Sequence, residues 1–138
     1  VTVRINRPPD VSLAQASVDH LWSPDHKFVM ESVTGVFDPD GDPVTITITT
    51  ITSDEATATA KGAGGAKSAP DAIMFGGNVA QVRAERSGES DGRVYALSFT
   101  ADDGFGGVTP GIVEVFVPLN MDTPCVDSGQ SYDATVIN

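Results

Sequence analysis

The sequence predicts an all-β, antiparallel β-sandwich of about seven strands, and three observations lead there. Apolar residues recur at every second position, β-branched residues fill those alternating runs, and Gly, Pro and Asp separate the runs at short intervals. The clearest run is Val44-Thr45-Ile46-Thr47-Ile48-Thr49, apolar on one face and polar on the other. A strand of this kind lies between a core and water.

Taken from the N-terminus, a short extended piece is expected near Val1 to Ile5, within an N-terminal segment, 1–20, that holds the first strand. After Pro8-Pro9, Asp10 is placed to cap a helix with Val11, Ala14, Val18 and Leu21 on one stripe. Ser, Val, Asp and His dilute that pattern, and the balance is against a helix. Runs at Phe28 to Phe37 and Val79 to Glu85 read as further strands. In 93–101, Tyr95, Leu97, Phe99 and Ala101 share one face; in the next run Val113, Val115 and Val117 oppose Ile112, Glu114 and Phe116. Between these two, Ala101-Asp102-Asp103-Gly104-Phe105-Gly106-Gly107 carries turn chemistry, so the pair reads as a hairpin or a closely related corner. Thr57 to Pro70, rich in Ala, Gly, Thr and Lys without an apolar period, reads as a long surface loop. Beyond Pro118 the alternation stops, so the core is expected over 21–118, with 119–138 a linker or the start of a following module.

A chain of 138 residues, 40% of them hydrophobic, is one domain's worth and can bury a core. Eight Lys and Arg against nineteen Asp and Glu leave a net charge of −11, which repels phosphate backbones and anionic lipid and attracts cations. Nucleic acid and membrane surfaces are excluded as expected partners, and no apolar run is long enough to span a bilayer. The start at Val1 without a leader suggests a fragment or a mature product. The single Cys125 forms no internal disulfide; it reads as a free thiol in a polar tail or as one half of an interdomain bridge.

Chemistry concentrates in carboxylates at strand ends. Asp38-Pro39-Asp40-Gly41-Asp42 sets three acids at alternate positions around a glycine, a pattern that lets a turn converge their oxygens on a hard cation. Ca2+ suits such a loop best, because it accepts six to eight oxygens in irregular geometry. The loop is not an EF-hand: Gly41 falls at the fourth position and Thr49 at the twelfth, where a Glu is required. Asp102 and Asp103 lie in the other acidic turn and join the candidate metal set if the two turns meet at one end of the sandwich. The alternative is a pair of Asx-rich turns that hold no ion.

Two stretches, Leu21-Trp22-Ser23-Pro24-Asp25-His26-Lys27 and Val82-Arg83-Ala84-Glu85-Arg86-Ser87-Gly88 followed by Gly92-Arg93-Val94-Tyr95, resemble a bacterial module. The chain is similar to the Ig-like domains, related to hyalin-type and PKD-like sandwiches, that carry LWPPNHK, LRAERSG and GRVY segments. Thr100-Ala101-Asp102 and Gly106-Gly107 extend the resemblance, which covers about Leu21 to Pro118. Ser23, Asp25, Val82 and the longer turn at Asp103 to Gly107 depart from those segments. The resemblance implies an antiparallel Ig-like β-sandwich that is noncatalytic, secreted or displayed at the cell surface, and used as a spacer or adhesion unit. Neighbouring domains of a larger protein are its expected partners, with an extracellular glycan or surface protein beyond them, and calcium sits at module ends in some related families.

The same residues have plain physical readings. Trp22 with Pro24 is expected to plug one end of the sandwich, and Tyr95 to form a tyrosine corner with its hydroxyl tied to backbone. Arg83, Glu85, Arg86 and Arg93 form a candidate cluster, expected to pair with acids such as Glu55 or Asp71; gripping a carboxylated ligand is the alternative.

An enzyme is not expected. No Gly-x-Ser-x-Gly elbow, His-Glu-x-x-His motif or phosphate loop is present, and His20 and His26 lack a third soft ligand nearby. The rival function is carbohydrate binding, with Trp22, Phe105 and Tyr132 as stacking candidates and exposure of Trp22 as the feature that discriminates.

Overall fold

In the computed structural model, residues 5–55, 70–86 and 91–136 are described. The pieces expected at Val1 to Arg4 and most of the loop from Thr57 to Pro70, with Ser87-Gly88 of the resemblance, lie outside the described residues.

Nine strands occur among the described residues: β1 (Gln15–Ala16), β2 (Phe28–Glu31), β3 (Val33–Thr34), β4 (Thr45–Ser53), β5 (Ala72–Met74), β6 (Ala80–Arg83), β7 (Arg93–Asp102), β8 (Val108–Val117) and β9 (Tyr132–Asp133). They form an antiparallel four-stranded sheet in the order β8-β7-β4-β9, a three-stranded sheet β2-β6-β5, and the pair β1-β3. Val33 from the pair, Val82 from the three-stranded sheet, and Ile51, Leu97, Phe99 and Val115 from the larger sheet share one hydrophobic core. The fold is therefore the all-β sandwich that the alternation predicts. Fully burying each large side chain of this kind contributes about 1.5–3 kcal/mol.

β7 and β8 pair without interruption from Arg93↔Val117 to Asp102↔Val108. Tyr95, Leu97, Phe99 and Ala101 all face inward, as their spacing requires. Pro110 is tolerated within β8 because β8 is an edge strand. β4 carries a bulge between Ile48 and Thr50. The doubled Thr49-Thr50 breaks the period of two, and the extra residue lets both Ile48 and Ile51 reach the core.

Three features differ from expectation. The run Phe28 to Phe37 is not one strand: the chain leaves the three-stranded sheet after Glu31 and joins β1 at Val33. The pivot is held by Ser17, whose N–H donates to the Ser32 carbonyl at 2.8 Å and whose hydroxyl accepts the Ser32 N–H at 3.0 Å. The strand expected over Val79 to Glu85 is shorter, Ala80–Arg83. The stretch from Asp10 to Leu21 forms no helix, as the balance of the sequence had it: Asp10 bridges Phe37, and the Asp10 carboxylate accepts the Ser12 N–H at 2.8 Å.

The third difference is at the C-terminus. Instead of running off as a linker, the segment returns, and β9 adds to the edge of β4 through Thr52↔Asp133 and Ser53↔Tyr132. Ala134 is fully buried; its N–H donates to the Ile51 carbonyl at 3.0 Å, and its carbonyl accepts the Asp71 and Ala72 N–H groups, each at 2.9 Å. One residue thus ties both large sheets together.

Candidate functional site

The Asp38–Asp42 turn lies just ahead of β4, whose first pair is Thr45↔Asp102, so both acidic turns sit at one end of the four-stranded sheet. One carboxylate oxygen from each of Asp38, Asp40 and Asp42 lies within 4.8 Å of the others. Gly41 makes this possible: its φ of +80° is the left-handed conformation that side chains disfavour. Asp38 Oδ1 accepts the N–H groups of Asp40 (2.8 Å) and Asp42 (3.3 Å), which curls the turn around it. Asp38 Oδ2 is enclosed without a hydrogen-bond partner.

Arg7 sits on this turn. Its Nη2 and Nε lie 2.8 and 2.9 Å from Asp40 Oδ1, and its backbone N–H donates to Asp40 Oδ2 at 2.7 Å. A cation held by the three acids competes with that guanidinium.

Asp102 and Asp103 do not join the converging oxygens. Asp103 is nearly fully buried; Oδ1 accepts the Phe105 and Gly107 N–H groups at 2.8 and 3.0 Å, and Oδ2 accepts Asn6 Nδ2 at 2.7 Å. Asp102 is exposed and accepts the Gly104 N–H at 2.7 Å. The hairpin loop uses these two acids to order its own backbone. Consecutive residues Asn6 and Arg7 thus clamp one acidic turn each, links the sequence reading missed because nothing local marks partners 97 and 33 positions away.

The basic cluster lies between the sheets, near the other end of β7. Arg93, Asp71, Glu85 and Tyr95 have no exposed surface. Arg93 Nη1 is 2.7 Å from Asp71 Oδ2 and its Nε is 3.3 Å from Glu55 Oε1. Nη1 also donates to the Tyr95 hydroxyl at 3.2 Å, and that hydroxyl donates to the Arg83 carbonyl at 2.8 Å. The tyrosine corner is therefore an inter-sheet tie, from β7 to β6. Arg83 donates to the carbonyls of His26 (2.8 Å) and Pro70 (2.9 Å), covers the Phe28 ring at 4.1 Å, and holds Asp71 and Glu85 at 3.6 and 3.7 Å. Those last two are charge contacts too long to be hydrogen bonds. His26 Nδ1 reaches Glu85 Oε2 at 3.2 Å. Arg86 donates to the carbonyls of Pro118 (3.3 Å) and Leu119 (3.0 Å). Both acids expected as partners, Glu55 and Asp71, take part.

Burial pushes the Asp71 carboxyl up from the ordinary aspartate range, against the pull of Arg93 and, more weakly, Arg83. Burial works against the Arg93 charge, but Tyr95 and Asp71 facing it hold its pKa above the ordinary value. The Tyr95 hydroxyl is driven upward by burial and stays protonated. Arg93 bonds both Asp71 and Tyr95, and all three side chains are enclosed between the sheets.

Trp22 is not the plug expected of it. Its neighbour Leu21 is 4% exposed and fills that place, whereas Trp22 is 45% exposed. The Leu21 N–H donates to the Phe116 carbonyl at 2.8 Å, which pins the backbone against the end of β8 and sends adjacent side chains to opposite sides. His20 lies against the Phe116 ring at 5.1 Å, with its Nδ1 3.1 Å from Asp19. Of the other stacking candidates, Phe105 is 61% exposed in the hairpin loop and Tyr132 is 40% exposed on β9.

Cys125 and Glu31 also carry shifts. Cys125 is partly buried against Gly92, and burial, then Asp54, Asp91 and Glu55, push its thiol up to about 11. A thiol so held is a poor nucleophile. Glu31, at the end of β2, is 2% exposed; Oε1 accepts the Val18 N–H (3.0 Å) and the Ser17 hydroxyl (3.1 Å), while Oε2 is enclosed without a partner. Burial raises its pKa to about 7.

Comparisons with protein-family models, with curated proteins and with solved structures find no match to this chain.

Proposed function

We propose that the chain is a noncatalytic Ig-like β-sandwich module of a secreted or cell-surface bacterial protein, a spacer or adhesion unit that takes up Ca2+ in its Asp38–Asp42 turn. The observation that carries the calcium reading is the convergence of Asp38, Asp40 and Asp42 within 4.8 Å. Calcium–oxygen distances of about 2.3–2.6 Å put opposite ligands about 5 Å apart, so this spacing can bracket the ion. The enclosed, unpartnered Asp38 Oδ2 adds support, as does the net charge of −11. Backbone carbonyls and water complete such a shell.

The noncatalytic reading is supported by the use made of the charged groups. Arg93, Asp71 and Glu85 are enclosed and engaged with one another or with Arg83, joining the sheets instead of opening onto a cleft. Neighbouring modules of the parent protein are the partners this reading implies, and an ion at the sheet end would stiffen a joint there.

Thermal unfolding in chelator and in millimolar calcium tests the reading, with magnesium as control and an Asp40→Ala/Asp42→Ala variant alongside. The expected result is a calcium-selective rise in midpoint that the variant lacks, growing with free calcium over Kd. An unchanged midpoint, with no heat of calcium binding in calorimetry, overturns it.

A further inference from the structure

Trp22, the chain's single tryptophan, leaves 45% of its surface in water. It lines a cleft of about 160 Å3 beside the three-stranded sheet, next to Val29 of β2 and Ala84 just past β6. Leu21, Val29 and Ala84 form an apolar floor, and His20, Ser23 and Asp25 supply polar walls. The loop behind the indole is pinned: the His26 N–H donates to the Ala84 carbonyl (2.9 Å), the Ala84 N–H to the Lys27 carbonyl (2.9 Å), and the Asp25 N–H to the Ser23 carbonyl (2.9 Å). The backbone that carries the exposed indole is therefore held in place, which lowers the entropy lost when a ligand lands there.

The polar groups around it keep capacity for a ligand. Asp25 uses Oδ1 to accept the Lys27 N–H at 3.1 Å, which leaves Oδ2. His20 directs Nδ1 to Asp19, which leaves Nε2. A ligand that fits these groups has one apolar face for the indole and an edge of hydroxyls for a carboxylate and an imidazole. Phosphates and acidic sugars are repelled by Asp19, Asp25 and the net charge of −11. The cleft holds one ring and is too small for a helix.

We infer that the Trp22 cleft binds a pyranose ring of a neutral sugar, stacked on the indole and hydrogen-bonded by Asp25 and His20. The site is separate from the calcium reading. Leu21 is bonded at Phe116 and the acidic turns lie at Val108, eight residues away along β8, about 27 Å at ~3.4 Å per residue.

The single tryptophan makes fluorescence a site-specific reporter. The full chain is titrated with neutral oligosaccharides of glucose, mannose, galactose, xylose and N-acetylglucosamine, in calcium and in chelator, and tested for retention on the matching insoluble polymers. The expected result is a saturable emission change with one of these classes, the same with and without calcium. Asp25→Asn, which keeps the bond to Lys27, should weaken binding about tenfold or more by removing a charge-assisted hydrogen bond. Trp22→Ala should abolish retention with an unchanged melting temperature. No emission change and no retention across the panel overturns the inference. So does an emission change that follows protein concentration instead of sugar, which would make the indole a contact between copies of the chain.

Discussion

Arg93 Nη1 and Asp71 Oδ2 lie 2.7 Å apart with neither side chain reaching water, and they belong to opposite layers of the sandwich. Removing both charges from water is costly, and removing only one leaves the other stranded. Arg93→Met should therefore destabilise the domain by about 3–5 kcal/mol. Pairing it with Asp71→Leu should lose less than the sum of the two single changes. Urea unfolding with an unchanged m value checks both statements.

Glu31 gives the stability a pH slope of known sign. Its folded pKa of about 7 stands above the ordinary glutamate value of 4.5, so the native state binds the proton more tightly than the unfolded chain. The stability associated with the protonated form is present below about pH 4.5, declines as pH rises, and is lost above about pH 7. The window amounts to about 1–3 kcal/mol. Glu31→Gln should flatten the profile between pH 5 and 8, measured by denaturant unfolding at each pH. An unchanged slope in the variant would assign it to other groups.

Ala134 joins both large sheets through three backbone hydrogen bonds. Ending the chain after Asn120 removes them together with β9, and should lower stability by about 2–4 kcal/mol, at about 0.5–1.5 kcal/mol for each bond. A segment that served only as a linker would leave the thermal midpoint where it was.

Arg7 competes for Asp40. If calcium enters the Asp38–Asp42 turn, Arg7→Ala should tighten its binding several-fold by freeing a ligand and removing a nearby positive charge. Calorimetric titration of both proteins measures the difference; weaker binding in the variant would mean that Arg7 builds the turn more than it blocks it.

Period-two runs were legible because a strand's alternation is written in residues two apart. Tyr95, Leu97, Phe99 and Ala101, and Val113, Val115 and Val117, face the core as their spacing requires. The bulge in β4 had a visible mark in Thr49-Thr50, where two polar β-branched residues interrupt the alternation. Glu55 and Asp71 were foreseeable partners of the arginines because so few cations face so many acids. Trp22 was not legible: burial was expected of a large aromatic, yet a hydrogen bond from its neighbour Leu21 to Phe116 decides which of the two turns inward. The Asn6 and Arg7 clamps and the return of β9 were equally hidden, since each joins segments far apart in the chain.

The sequence by itself determined an antiparallel all-β domain, its hairpin and two acidic turns, because each depends on interactions among residues a few positions apart. Only the tertiary structure decided which of the five candidate aspartates converge, where the run from Phe28 changes sheets, and that the buried arginines join the two layers. Those outcomes depend on which distant backbone and charged groups meet once the sheets close over a common core. A buried polar group takes whatever partner the packing brings, and that choice is made by the whole chain at once.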